Sequence, residues 1–506
     1  MERSISPRVD GSPVVLSASP PYLLRPPEPQ QLTPATGGGG VGDGGSPFTA
    51  TTEQGFLGIA QFNHPGDPST IHRNLLLELS GILGNSNPSS KPSPASIDID
   101  ADLDAILDQV LRIMHKCIDV FAQYFFPNTP IAHVPSLRRA ASDFGSAFGV
   151  SPFLLGDASG DQVFSMRNFT LITALCAFIT SVVPGMAAPH SISLTWPFYY
   201  ASRAMARLYE ELDLEAPVSS SYTSRIWQSA ALQNMTGKNL VAWHVAGEVT
   251  IMAIRERLYD EKTVGRNASL ESQLLRANFW LIYLSDRTAT AFEGRPSVMS
   301  DILSQGLLTL HERGPSGEPL LETANSLNGD SVEDLLTQGF HLKTRLWASA
   351  ADVMLHLKAV ANPGQTMAPM RSLPESPDWI KLVELHQAFL AVLDDLPTCL
   401  RSPNGVIMDT TSGDPIGTYQ AQSFWALRNN IFSVYHSMRL IMLHECILQG
   451  IPEVLGLENK AESLAMRKLE IVQDFLLEMQ LAPFLCLKVQ GEAAVSFYSY
   501  ERSGMQ

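Results

Sequence analysis

The chain has 506 residues, 35 Lys and Arg against 51 Asp and Glu, a formal net charge of −16 and a pI near 5.2. That length supports a substantial core without disulfide or metal staples, and the acidic balance excludes a protein built mainly to coat phosphate backbones. Charged residues at 17% and a mean hydropathy of +0.03 exclude a wholly disordered chain on one side and a multi-span membrane protein on the other.

Five cysteines, Cys117, Cys176, Cys399, Cys446 and Cys486, lie at wide, irregular spacing without a Cys-x-x-Cys pair, so a disulfide framework is not expected. The start, MERSISPRVDGSP, lacks the basic start followed by an apolar core that a secretory signal needs, which predicts a reducing, intracellular setting. Phe169 to Ala188 is the most lipid-like stretch. Thr173, Thr180, Ser181 and Pro184 interrupt it, and it reads as a buried core helix, with no membrane partner implied.

Residues 1 to about 52 carry PPYLLRPPEPQQLTP and GGGGVGDGG, which cannot bury enough apolar surface to offset the entropy of ordering and read as a disordered tail. The glycine run formally matches a dinucleotide fingerprint, but no strand precedes it and no helix follows. Ile71 to Leu83 predicts one short helix ahead of the breakers NSNPSSKPSPAS, so residues 1–96 form a disordered or linker region with a single short helix. The globular part starts near Ile97.

From there the periodicity is helical. Helices are expected around Leu103 to Tyr124, Gln162 to Val183, Trp196 to Leu212, Ser224 to Met235, Val332 to Val360, Asp378 to Leu393 and Ala461 to Met479. Leu427, Ile431, Tyr435, Met438, Met442 and Cys446 trace one helix face, stopped by Gly450 and Pro452. A helix starting near Lys238 or Asn239 places Trp243, Gly247, Ile251, Ile254 and Leu258 on one stripe, opposite His244, Glu248 and Arg255. Between Ala277 and Leu284 only Asn278 is polar, so that helix belongs at the centre. About ten helices result. The fold class is all-α: an irregular multi-helix body with helical subdomains at 97–311 and 331–490, divided near 312–330, then an irregular tail at 491–506.

Catalytic signatures are weak. His115/Cys117 and His444/Cys446 sit two apart on helices and point roughly 200° apart, so neither pair chelates one ion. The sequence contains neither H-E-x-x-H nor G-x-S-x-G. An all-α enzyme of the terpenoid-synthase type would chelate magnesium through aspartates repeated on one helix face. Asp394-Asp395 begins such a motif, but Thr398 stands where its closing Asp belongs and Pro397 disturbs the helix. Neither a catalytic residue nor a resident cofactor or metal site is assigned.

The most informative segment is ESQLLRANFWLIYLSDRTATAFEGRPSVMSD at 271–301, read as a buried helix ending at Gly294 and a turn at Arg295-Pro296. Arg295 is placed to donate to the helix's last carbonyls, while Asp286 and Arg287, adjacent and so pointing differently, need separate partners on other helices. Either a satisfied charge network or an effector-contact loop fits there.

This pattern resembles the middle homology region of fungal-specific transcription factors of the binuclear zinc-cluster class. There an aromatic-rich helix leads through a D-R motif to G-R-P and a downstream Asp, matched here by Trp280, Asp286, Arg287, Gly294, Arg295, Pro296 and Asp301. FFPNTPIAHVPSL at 125–137 is similar to the family's opening motif, and SRIWQSAALQNMTGKNLVAWHVAGEVTIMAIRERLYDE to its helical hairpin. The resemblance covers most of residues 100 to 310. It implies an all-α regulatory domain of a nuclear, pathway-specific transcription regulator that responds to co-regulator or transcription-factor proteins or to a small-molecule effector. The six closely spaced cysteines that bind two zinc ions in that family are missing from this sequence. DNA contact is therefore expected indirectly or through a segment beyond this chain. Zinc enters only with an upstream zinc cluster, and both ends are expected to lack parts. A second expectation is a DNA-binding-deficient co-regulator acting by hetero-association.

Overall fold

In the computed structural model the described residues are 67–84, 99–146, 159–188, 191–237, 239–293, 295–312, 317–322, 326–327, 330–361, 376–403 and 415–489. The disordered tail expected at 1 to 52, most of the 1–96 linker and the irregular tail at 491–506 fall outside them. All of the described residues belong to one compact unit.

The all-α expectation is met: sixteen α-helices are described, and the sheet among the described residues is one antiparallel pair, Ser326–Leu327 with Asp330–Ser331. In chain order they are α1 Pro68–Gly84, α2 Ile99–Val120, α3 Val134–Ser146, α4 Ser159–Val182, α5 Thr195–Leu208, α6 Glu210–Glu215, α7 Ser219–Thr236 and α8 Asn239–Arg255. There follow α9 Glu261–Val264, α10 Ser269–Glu293, α11 Ser300–Ser304, α12 Val332–Ala361, α13 Pro377–Ala391, α14 Thr398–Arg401, α15 Pro415–Gln449 and α16 Ala461–Leu481. They exceed ten because short helices fill connections. The segment expected at Trp196 to Leu212 breaks at Tyr209 (φ −125°, ψ 21°) into α5 and α6.

Three features depart from the sequence reading. First, α1 is not an isolated helix in a linker: Ile71, Leu75, Leu76 and Leu79 are buried in the main core and the helix packs on α5. Burying such side chains contributes about 1.5–3 kcal/mol each, which fixes a helix that its breaker-rich flank advertises as detached. Second, no break in the core separates 97–311 from 331–490. The main apolar cluster runs from Ile71 to Val489, because α12 lays its apolar side on both α10 and α15 instead of founding a separate core. At Gly339 the approach of α12 to α15 is so close that a Cβ would collide with Leu427 and Leu400. Third, α8 buries Ala242, Val245, Val249 and Met252, whereas Trp243 and Ile251 are 42% and 64% exposed. The helix is apolar nearly all round, so the 3.6-residue period fits two stripes and the packing partner chooses between them.

Other elements follow their sequence logic. In α15, Leu427, Ile431, Met438, Met442 and Cys446 are buried and Gly450 closes the helix at φ 69°. From Gln162 to Val182, α4 has the length and hydropathy to cross a membrane, and 61% of that window is buried within the fold, against α5 and α7. Its hydroxyls are internally satisfied: Thr173 donates to the Phe169 carbonyl at 2.6 Å, and Thr180 to that of Cys176 at 2.7 Å. Central α10 is shared between two cores, giving Leu274 and Leu284 to the main cluster and Leu275, Phe279, Trp280 and Ile282 to a second one with α8.

Candidate functional site

Two of the segments that carry the resemblance, 125–137 and 271–301, meet at a buried hydroxyl one residue ahead of the third. Thr223, on α7, donates to the Ile131 carbonyl at 2.9 Å and pairs with the Asn278 amide of α10 at 3.1 Å. Asn278 also donates to the Leu274 carbonyl at 2.9 Å, so the one polar residue of the Ala277–Leu284 run is satisfied at full burial. The 125–137 segment is tied a second time from α12: Lys343 Nζ donates to the Asn128 carbonyl at 2.6 Å. Burial of that ammonium lowers its pKa to about 7. His133, in the same segment, shares a 2.7 Å hydrogen bond with Ser136, and the Val134 amide donates to the Leu320 carbonyl.

Beside this junction lie the charged residues of the 271–301 segment. Asp286, 9% exposed near the end of α10, accepts from Ser297 Oγ at 2.7 Å, the Val298 amide at 2.9 Å and the Met299 amide at 3.4 Å. Its carboxylate thus folds the loop that launches α11. Arg287, the next residue, points elsewhere and pairs with Asp352 on α12. The two do take separate partners, but only Arg287 finds its own on another helix. Trp280 is buried in the second core and its indole N–H faces the His311 carbonyl at 3.4 Å.

Arg295 differs from expectation. Its backbone amide, not its guanidinium, donates to a late α10 carbonyl, that of Ala289 at 3.2 Å. The guanidinium carbon lies 4.3 Å from the centroid of Trp243 on α8, a cation–π geometry that covers part of the exposed indole. Pro296 is exposed, and Asp301 is exposed in the first turn of α11, where a carboxylate complements the helix dipole. Gly294 lies outside the described residues. The site residues are therefore gathered on α10, α11 and their connecting loop, and the contacts they make are with protein groups.

Sequence reasoning missed the long-range half of this arrangement. Nothing at Asp352 marks it as the partner of Arg287, and Trp243 was assigned to a buried stripe. A better signal for Thr223 and Asn278 was available: single polar residues inside apolar helices usually bond across an interface. Elsewhere, Asp394 and Asp395 are exposed on a 3₁₀ turn, Val392–Asp395, with Arg345 reaching Asp395 at 3.3 Å. Among the described residues no three His, Cys, Asp or Glu side chains gather as a metal-binding group.

No protein-family model, curated protein or solved structure matches the chain.

Proposed function

We infer that this chain is a nuclear transcription regulator of a pathway-specific gene set, whose helical body senses a partner or effector while DNA contact is supplied from elsewhere. The reading is supported by one observation above all: Thr223, the residue just before the 224–261 segment, bonds to both the 125–137 and the 271–301 segments, and Arg276 of the last pairs with Glu261 at the end of 224–261. Segments that far apart form one structural unit, as a shared regulatory domain requires. Asp286 holds the α10–α11 loop and Arg287 joins it to α12. A ligand or partner that prefers one packing of these helices shifts the population toward it, and only that difference in affinity switches activity.

A second reading, a co-regulator that acts by hetero-association, is favoured by the scattered placement of the five cysteines and the −16 net charge. Both readings are tested by fusing the full chain to a heterologous DNA-binding domain upstream of a reporter in cells. The expected result is a several-fold change in reporter output, positive or negative, that is lost in Thr223→Val. A nuclear, folded fusion with no effect on the reporter removes the regulatory reading. Gel shifts separate the two, since salt-sensitive DNA binding by the chain alone excludes the co-regulator.

A further inference from the structure

Helix α16 is apolar on two opposite sides. One side, with Leu464 and Ile471, is buried against Leu443 of α15. On the other, Met466, Leu469, Val472, Leu476, Leu477 and Leu481 are between 37% and 63% exposed, and Phe484, three residues past the helix, is 79% exposed. Single exposed leucines need no explanation, but these recur at steps of three, three, four, one and four, so successive turns carry them on one broad face. A helix that is apolar all round belongs in an interior, so the outer face of α16 calls for a cover. We propose that a second copy of the chain covers it, the two α16 helices packing antiparallel about a two-fold axis near Gln473.

Three observations select a second copy. The first is area. At roughly 100 Å² of open surface each, the seven side chains offer on the order of 700 Å², close to the ≈800 Å² that each partner of a standard interface buries. Homodimer interfaces are also the more apolar kind, as this face is.

The second is self-complementarity. Read from Gln473 outward, the face has Leu469 and Met466 in one direction and Leu477 and Leu481 in the other. Antiparallel pairing about that point sets Leu469 against the mate's Leu477 and Met466 beside its Leu481, so like meets like, as an isologous contact requires. Gln473 itself is exposed, and its amide, both donor and acceptor, can bond the same group of its mate across the axis.

The third is charge. A net charge of −16 keeps copies of the chain apart in general, but not here. Beside the face, Glu470 is paired with Arg467 at 2.9 Å and Asp474 with Arg439 at 3.0 Å. Glu462 and Lys468, both exposed, add one charge of each sign, so the rim is locally neutral. Self-association through α16 goes beyond the regulatory reading and does not require it.

Sedimentation velocity of the full chain at pH 7 and constant ionic strength tests this. A dimer is expected at about 10 μM chain, the weak end for an interface of this size, dissociating on dilution. Leu476→Glu is expected to raise the dissociation constant at least about a hundredfold, because the two-fold axis enters the charge twice. Its circular dichroism stays unchanged, since the position faces water in the monomer. Independently, Gln473→Cys is expected to give a disulfide-linked dimer with diamide, whose azo bond takes up the two thiol hydrogens. The five native cysteines are buried and do not compete, and Lys116→Cys, exposed on α2, is expected to give no such dimer. A chain still monomeric at about 100 μM, an unchanged dimer in folded Leu476→Glu, or equal cross-linking at positions 116 and 473 overturns the proposal. So does a monomer that dimerises only once residues 490–506 are deleted, which would make that tail the occupant.

Discussion

The α10–α11 segment and the junction of α13, α15 and α16 both concentrate charge, and they satisfy it to different degrees. In the first, the Asp286 carboxylate receives three donors, Arg287 has Asp352 although its Nε is buried without a partner, and Arg295 lies over Trp243. In the second, buried nitrogens of His386, His436 and Arg439 have no acceptor. A satisfied network rigidifies, whereas an orphaned one holds free energy that a ligand can recover. The motif carboxylate that drew attention in the sequence is therefore held by the protein's own donors, and buried histidine nitrogens are left over in a region with no motif.

Acid breaks this comparison most strongly. Burial lowers the pKa values of His386 and His436 to about 4 from the usual imidazole value near 6.5. Above pH 6.5 both folded and unfolded chains hold these rings neutral. As pH falls from 6.5 toward 4 the unfolded chain takes up protons that the fold refuses, so stability drops, on the order of 3 kcal/mol per histidine by pH 4. Hydrogen exchange should show α15 and α16 losing protection before α10, and equal loss in both regions would break the contrast.

Next in size is the most deeply paired acid. Asp213 is fully buried and accepts from Arg225 at 2.5 Å, Ser221 at 2.5 Å and Arg167 at 3.2 Å. Asp213→Ala leaves Arg225 charged and unpaired, for an expected loss of about 3–5 kcal/mol in urea unfolding. Asp286→Ala strands the Val298 and Met299 amides and is expected to cost about 2–3 kcal/mol in the same measurement. The smallest effect belongs to Arg295→Ala, below about 1 kcal/mol, seen mainly as a red shift of Trp243 fluorescence as the indole gains water.

Much of the fold was legible because helical periodicity and stop signals are local. The α15 stripe from Leu427 to Cys446 and its Gly450 cap follow from the residues alone, as does the central position of α10. At α8 the same method chose the wrong face, since two apolar stripes share one period. At α1 it found the helix but not its docking against α5.

The candidate site divides in the same way. Trp280, Asp286, Arg287, Arg295 and Asp301 are picked out by the resemblance, but Asp352 and Trp243 come from other helices, and His386, Arg439 and Arg467 share no motif. The sequence by itself determined an acidic, helical chain and where most of its helices begin and end, because those depend on neighbours within a few residues. Only the tertiary structure decided which face each helix buries, that α12 fuses both halves into one core, and which charges are left without partners. Burial and pairing are properties of side chains brought together from distant positions, and no local pattern records them.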